Sequence, residues 1–329
     1  MKNKYKSLNI SYKNNKFNIK LLSNNFRELE AKEVLIKAKY SSLNYKDALS
    51  VTGKTKIIRK ESLTPGLDFS GIVIDSNSKN FKKGDKVLAT GAGLGETING
   101  GFSEFIYAPD NVLINIPKNL TFQKSMQIGT AGFTAAIAID KMILNKQKSL
   151  KGPIAVTGSS GGVGSFAINI LNNLGFETIA MTRKEHSYSY LKKIGATKII
   201  QYEKNTKKNF LNNQMFAGAI DNLGGEILDW LIKSTKENGN IVSIGMASSP
   251  NLDTTVFPLI MRGVNILGVS STNYQNSKRK YIWEKISKNY FPPQLKTINT
   301  HCIRMEDIIE FSKKTLSGKL HGRIIIKFT

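Results

Sequence analysis

The segment from Ile154 to Gly164, IAVTGSSGGVG, constrains this chain more than any other. An apolar, strand-like run leads straight into Gly158, Gly161, Gly162 and Gly164. An amphipathic helical pattern follows, with Val163, Ala167, Ile170, Leu171 and Leu174 on one face and Gly175 as its stop. Glycines at such a junction permit a tight turn and let the backbone come close to a pyrophosphate. They also leave the first N–H groups of the helix, at the positive end of its dipole, facing that anion. A glycine triplet alone is weak evidence. With the strand before it and the helix after it, it reads as a dinucleotide-binding turn.

The surroundings carry the same rhythm. Strand patterns recur at Ile154–Thr157, Thr178–Thr182, Lys198–Tyr202, Ala217–Asp221, Asn240–Gly245 and Val264–Val269. Helical patterns fall between several of them, at Gly162–Leu174, Tyr188–Ile194 and Glu226–Lys236, and a further helix with Thr130 and Thr134 near its start runs toward Leu144. Strands alternating with helices predict a doubly wound parallel sheet, and six of them suit a Rossmann domain over 122–270. The first third differs. Tyr5–Ile10 and Phe17–Leu22 flank Asn14-Asn15 as a hairpin, Val34–Tyr40 alternates, and Ile72–Asp75 and Lys86–Ala89 are short strands with glycines crowding 91–101. No sustained helical period shows there. This part predicts a β-rich domain over 1–121, joined by 271–329, which holds one helix around Lys280–Ser287 and a final apolar strand from Arg323 to Phe328.

Lys and Arg number 48 against 24 Asp and Glu, a formal net charge of +24. That excess admits a nucleic-acid partner. The lysines, however, are scattered among Asn, Ile and Ser, and dense clusters such as Lys278-Arg279-Lys280 are short, so a compositional bias toward Lys, Asn and Ile is the better reading, and the positive field would still concentrate anionic ligands such as NADPH and acyl-CoA. No apolar run reaches membrane-span length, and the N-terminal residues carry no apolar signal core. The single Cys302 allows no internal disulfide, which favours a cytoplasmic location.

Two details narrow the chemistry. NAD-binding domains place Asp or Glu at the end of the second strand. Here that strand ends Thr182-Arg183-Lys184, and a hydroxyl with two cations suits the 2′-phosphate of NADPH, a solvated basic turn being the plainer alternative. A catalytic zinc needs Cys, His and carboxylate ligands at suitable spacing. His186, His301, His321 and Cys302 give no such set, and no metal is expected. The neighbours His301 and Cys302 would point to opposite faces of a strand, so they do not form a dyad.

Several segments resemble one family closely. They are Ser41-Ser42-Leu43-Asn44-Tyr45-Lys46-Asp47-Ala48 with Gly53-Lys54, Pro65-Gly66-Leu67-Asp68-Phe69-Ser70-Gly71, Gly129 to Ala135, and Thr157 to Gly164. Together they are similar to the YhdH/YhfP branch of the zinc-free medium-chain dehydrogenase/reductases, named as quinone oxidoreductases or acryloyl-CoA reductases. The likeness runs along nearly the whole chain. It implies an α/β fold with a GroES-like catalytic domain beside the Rossmann domain, a cleft between them, and a homodimer. It places cofactor contacts on Tyr45, on Ser160, Gly161, Gly162, Val163 and Gly164, and on Thr182, Arg183 and Lys184, with Arg323 near the cofactor and Arg262 and Ser271 as weaker carry-overs. The branch tends to carry Ser/Thr-Gly-Arg where this chain has Thr-Arg-Lys. Arg183 is therefore the candidate to fork the phosphate.

The expected reaction is NADPH-dependent reduction of the C=C bond of acryloyl-CoA to propanoyl-CoA. Charge would build on the thioester oxygen, so donors belong there. Asn44 and Tyr45 are the candidates, with Tyr45 either a proton source or an aromatic wall for the nicotinamide. Asp47 either orients Lys46 or Asn44 or caps the following helix. Arg279 and Lys280 either meet CoA phosphates or form a solvated helix face. Quinone reduction is the rival within the class, and nucleic-acid binding the more distant one.

Overall fold

A computed structural model describes residues 4–14, 16–202 and 209–328. They form two compact units. One runs to Phe133 and takes in Ser271–Ser287 and the residues from Asn299 onward; the other comprises Thr134–Ser270 and Lys288–Ile298. No helix among the described residues is long and apolar enough to cross a membrane.

The chain opens with β1 (Lys4–Lys13) and β2 (Lys16–Asn25), the expected hairpin, paired antiparallel from Lys4↔Asn25 to Lys13↔Lys16. Of its turn residues, Asn14 takes φ +48, which Asn tolerates, and Asn15 lies outside the described residues. Then follow β3 (Glu33–Leu43), α1 (Tyr45–Val51), β4 (Ser62–Leu63), β5 (Asp68–Ser76), β6 (Lys86–Thr90), β7 (Phe105–Pro109) and β8 (Ile114–Asn115). The helix α1 has only seven residues, too few to register as a period in the sequence. The long α2 (Phe122–Leu144) breaks at Gly129, where φ is +51 and ψ −158, so its second part starts at Thr130 as expected.

The second unit is built from β9 (Ile154–Thr157), α3 (Gly162–Asn173), β10 (Thr178–Met181), α4 (Tyr188–Lys193), β11 (Lys198–Ile200), β12 (Phe216–Asp221), α5 (Gly225–Ser234), β13 (Thr235–Ser243), α6 (Phe257–Arg262) and β14 (Asn265–Gly268). Its sheet is parallel with the order β11-β10-β9-β12-β13-β14, the strand order 3-2-1-4-5-6 of the Rossmann fold. Its core packs Ala155, Phe216, Ala219, Leu231, Ile232 and Ile241. The expected helix at Glu226–Lys236 is shorter than predicted. It ends at Ser234, because the buried, β-branched Thr235 already pairs with Phe216 and opens β13. Half-buried Lys236 and exposed Glu237 make that strand start look helical in the sequence.

The chain ends with α7 (Asn276–Ile286), α8 (Leu295–Ile298), β15 (Asn299–Ile303), α9 (Ile308–Leu316) and β16 (Arg323–Lys327). The C-terminal part thus holds more than the one helix expected. The strand β16 pairs with β3 and joins a seven-stranded sheet ordered β15-β16-β3-β5-β6-β8, with β7 also on β3. Phe69, Phe102, Val73, Ile36 and Ile326 fill its core. This is the β-rich unit for which the resemblance implies a GroES-like fold.

Candidate functional site

In the second unit, β9 delivers the chain into the glycine turn. Thr157 is buried, and its hydroxyl donates to Asp221 Oδ1 at 2.7 Å and accepts from the Asn222 amide at 2.8 Å. Gly158 takes φ +57, and the Gly161 amide closes the turn on the Gly158 carbonyl at 2.9 Å. A Cβ on Gly164 would lie 2.5 Å from that carbonyl oxygen, so only glycine fits there. Ser159 Oγ donates to the Met181 carbonyl at 2.7 Å and ties the turn to β10. Gly161 is the N-cap of α3 and no side chain caps the helix, so Gly162 and Val163 begin it with uncapped N–H groups suited to a pyrophosphate.

Beside this turn a cleft of about 870 Å³ is lined by Thr157, Met181, Thr182, Arg183, Tyr202 and Leu223, among others. Thr182 Oγ1 accepts from the Lys184 amide at 3.1 Å, and burial pulls the Lys184 ammonium below its ordinary pKa. Arg183 is exposed along the lining, while Lys184 is half-buried and not on it. The cradle and the basic strand end fit a dinucleotide. The acids Glu226, Asp229 and Asp253 on the same lining escaped the sequence reading. Arg262 points elsewhere: its guanidinium donates to the carbonyls of Asn212, Lys233 and Thr235 at 2.7, 2.9 and 3.3 Å.

In the first unit, Asn44 caps α1 and forms a reciprocal capping box with Asp47. The Asp47 carboxylate accepts from the Asn44 amide at 2.9 Å, from Asn44 Nδ2 at 3.0 Å and from the Leu67 amide at 3.0 Å. Asp47 therefore caps the helix and holds Asn44, whereas Lys46 pairs with Glu96 at 2.5 Å. Asn44 Nδ2 also donates to Asp68 Oδ2 at 2.9 Å, and its Oδ1 accepts from Arg323 at 2.9 Å. Both amide hydrogens of Asn44, which the sequence offered as a donor to the thioester oxygen, are thus engaged within this network. Tyr45, next in the chain, is 49% exposed.

Asp68 is the hub. It accepts from Ser42 Oγ and Thr130 Oγ1, from the Thr130 amide at 2.9 Å, and faces Arg323 at 3.7 Å. Arg323 is buried and also donates to Ser42 Oγ at 2.7 Å and to the Leu43 and Gln127 carbonyls. Burial, then the Asp68 charge, pushes the Asp47 carboxyl up to about 7. Burial lowers the Arg323 pKa, while Asp68 and Asp47 oppose that shift. A Cβ on Gly129 would lie 2.6 Å from both Arg323 Nη2 and Asp68 Oδ2, so the break in α2 lets this ion pair sit against bare backbone.

The family model of the alcohol dehydrogenase GroES-like domain matches residues 30–118, and that of the zinc-binding dehydrogenase matches 162–288. The acrylyl-CoA reductase AcuI of Ruegeria pomeroyi is 33% identical over 301 residues, 91% of each chain. The YhdH oxidoreductase of Salmonella enterica, solved with NADP, superposes with a TM-score of 0.94 at 33% identity, covering 98% of this chain and 100% of its own. YhfP of Bacillus subtilis, named as a quinone oxidoreductase, is 36% identical over 296 residues, 89% of this chain and 90% of its own. The chain belongs to the YhdH/YhfP family of medium-chain dehydrogenase/reductases. It is an oxidoreductase. A YhfP structure with NAD bound also matches it, with a TM-score of 0.93 at 33% identity, covering 99% of each chain.

In this YhdH/YhfP-type chain the donors do not fit zinc. Among the described residues no three His, Cys, Asp or Glu side chains converge on a metal position, Cys302 is exposed, and His301 Nδ1 lies 2.9 Å from Thr300 Oγ1. The chain also corrects the reading of Arg279. Arg279 is not on a solvated helix face: the residue is buried, 1% exposed. It donates to the carbonyls of Thr90, Ser271 and Thr272 at 2.5, 2.6 and 3.0 Å and lies over the Phe133 ring. Ser271 is thereby fixed through its carbonyl.

Proposed function

We propose that the chain reduces acryloyl-CoA to propanoyl-CoA with NADPH. The observation that carries this reading is the half-exposed Tyr45 on a helix start held rigidly by Asn44, Asp47, Asp68 and Arg323. NADPH supplies the hydride that goes to Cβ. The Tyr45 hydroxyl delivers the proton to Cα, so one hydride and one proton saturate the bond and the thioester is restored. The uncapped α3 start holds the pyrophosphate, and Thr182, Arg183 and Lys184 hold the 2′-phosphate. Quinone reduction is the second reading, favoured by the name of YhfP. An NADPH-oxidation assay decides between them: turnover of acryloyl-CoA supports the proposal, and quinone turnover with none of acryloyl-CoA sinks it. The single exposed cysteine agrees with a cytoplasmic enzyme.

Cofactor preference follows from the strand end. Replacing both Arg183 and Lys184 by Ala is expected to lower kcat/KM for NADPH by about ten- to a hundredfold, the range for lost charge-assisted bonds, and to leave NADH kinetics nearly unchanged. Equal use of NADPH and NADH by the unmutated enzyme contradicts this.

We also propose a homodimer. The edge strand β14 and helix α6 present Val256, Phe257, Ile260, Met261 and Ile266 to solvent, Ile260 being 73% exposed. An open edge beside an apolar helix suits a second copy of the same sheet. Ile260→Glu with Met261→Glu should give a monomer in sedimentation equilibrium. A monomeric unmutated chain at micromolar concentration overturns the dimer.

A further inference from the structure

We infer that a second cavity, in the GroES-like unit, takes a phosphate group of the substrate's carrier arm, which makes the substrate a phosphate-bearing thioester and not a neutral quinone. This deepens the proposed function and rests on it. The cavity holds about 470 Å³, within the range of small-ligand sites. Its lining includes Arg59, Ala92, Gly93, Glu96 and Thr97, closed by the stretch 272–276.

Three observations give it an anion's chemistry. First, the exposed Arg59 guanidinium has no hydrogen-bond or ion-pair partner among the described residues, although its backbone amide is anchored on the Glu96 carbonyl at 2.8 Å. A planar five-donor group fixed at its base and open at its tip is suited to forking a phosphate. Second, Gly91, Ala92 and Gly93 take φ of +61, +54 and +88 in succession. The Ala92 and Gly93 amides donate to nothing among the described residues. A non-glycine residue in that conformation is held there by its surroundings, and two such N–H groups on a cavity lining are ready anion donors.

Third, the charges balance in favour of an anion. The one carboxylate on the lining, Glu96, is neutralised by Lys46 at 2.5 Å. The buried Arg279 lies directly behind the wall, holding the Ser271 and Thr272 carbonyls and Asn276 Oδ1. Arg59 and Arg279 are thus left as net positive charge around the cavity. The Lys46–Glu96 bridge also ties the cavity to the reacting end of the site, since Lys46 follows Tyr45 in the chain. Coenzyme A carries phosphates on its arm and a quinone carries none.

The test compares Arg59→Ala and Arg59→Lys with the unmutated enzyme, using acryloyl-CoA, the phosphate-free acryloyl-pantetheine, and calorimetry with free coenzyme A. Arg59 is exposed, so the variants should fold, which circular dichroism checks. Arg59→Ala is expected to raise KM for acryloyl-CoA at least about tenfold and to change kcat by less than about twofold, as loss of uniform binding does. KM for acryloyl-pantetheine and the affinity for NADPH should not move, and Arg59→Lys should recover part of the loss. Equal effects on both thioesters, or no effect on either, overturn the inference. If acryloyl-CoA is not reduced, the proposed function falls by itself. Calorimetry then decides the site: coenzyme A binding that Arg59→Ala abolishes keeps it, and no binding to the unmutated enzyme overturns it.

Discussion

Asp68→Asn is expected to lower the unfolding free energy by about 3–5 kcal/mol, the usual cost of breaking a buried ion pair from one side. Asp68 is fully buried, and Arg323 loses its nearest anion when the charge goes. The Asn amide would also turn N–H groups toward Ser42 and Thr130, which now donate to that side chain. Denaturant unfolding at neutral pH, with an unchanged m-value, measures the loss. A double-mutant cycle with Arg323→Gln should return a coupling of at least about 1 kcal/mol, because the residues share one network. A change under about 1 kcal/mol in the single variant, the size of an exposed pair, would mean that the pair is solvated in solution.

Tyr45→Phe is expected to lower kcat for acryloyl-CoA by about a hundredfold or more, the range for a lost general acid. The ring and the helix start are retained, since Asn44, Asp47 and Asp68 fix that start without help from the phenol. Fold and NADPH affinity should therefore persist. If kcat holds and only KM rises, the ring is a wall for the nicotinamide and the proton has another source.

What the sequence made legible follows the physics of each element. The Rossmann half was readable because its strands are short apolar runs flanked by glycines, and because Gly164 sits where no other residue fits and Gly158 takes a positive φ that favours glycine. The place of Thr182 and Arg183 on the cleft lining was legible because Thr182-Arg183-Lys184 stands at the end of the second Rossmann strand, where an acid is usual. The helix α9 was overlooked, although Ile308 and Ser312 are buried one turn apart, because nearby lysines break up the apolar stripe. The ion pair between Asp68 and Arg323 is non-local, so periodicity cannot show it. A signal did exist: each charge borders an apolar strand, Asp68 before Phe69 and Arg323 before Ile324-Ile325-Ile326, and a charge buried there requires a partner. Arg279 was misread because Lys278 and Lys280 beside it do face solvent. Only the fold shows that position 279 turns inward.

The link from Arg323 to the Leu43 carbonyl joins residues 280 positions apart, and β16 enters the sheet by pairing with β3. During synthesis, β3 and Asp68 must therefore wait until the chain has been made past Arg323 before their last neighbour arrives, while Thr134–Ser270 is contiguous and can organise its own sheet earlier. Closing so long a loop is slow and entropically costly. A nascent or truncated chain lacking β16 would carry an unpaired Asp68 and an exposed flank on β3. Such a chain is expected to be kinetically vulnerable, so proteases and chaperones would recognise unfinished copies by this unsealed edge before any enzyme could form.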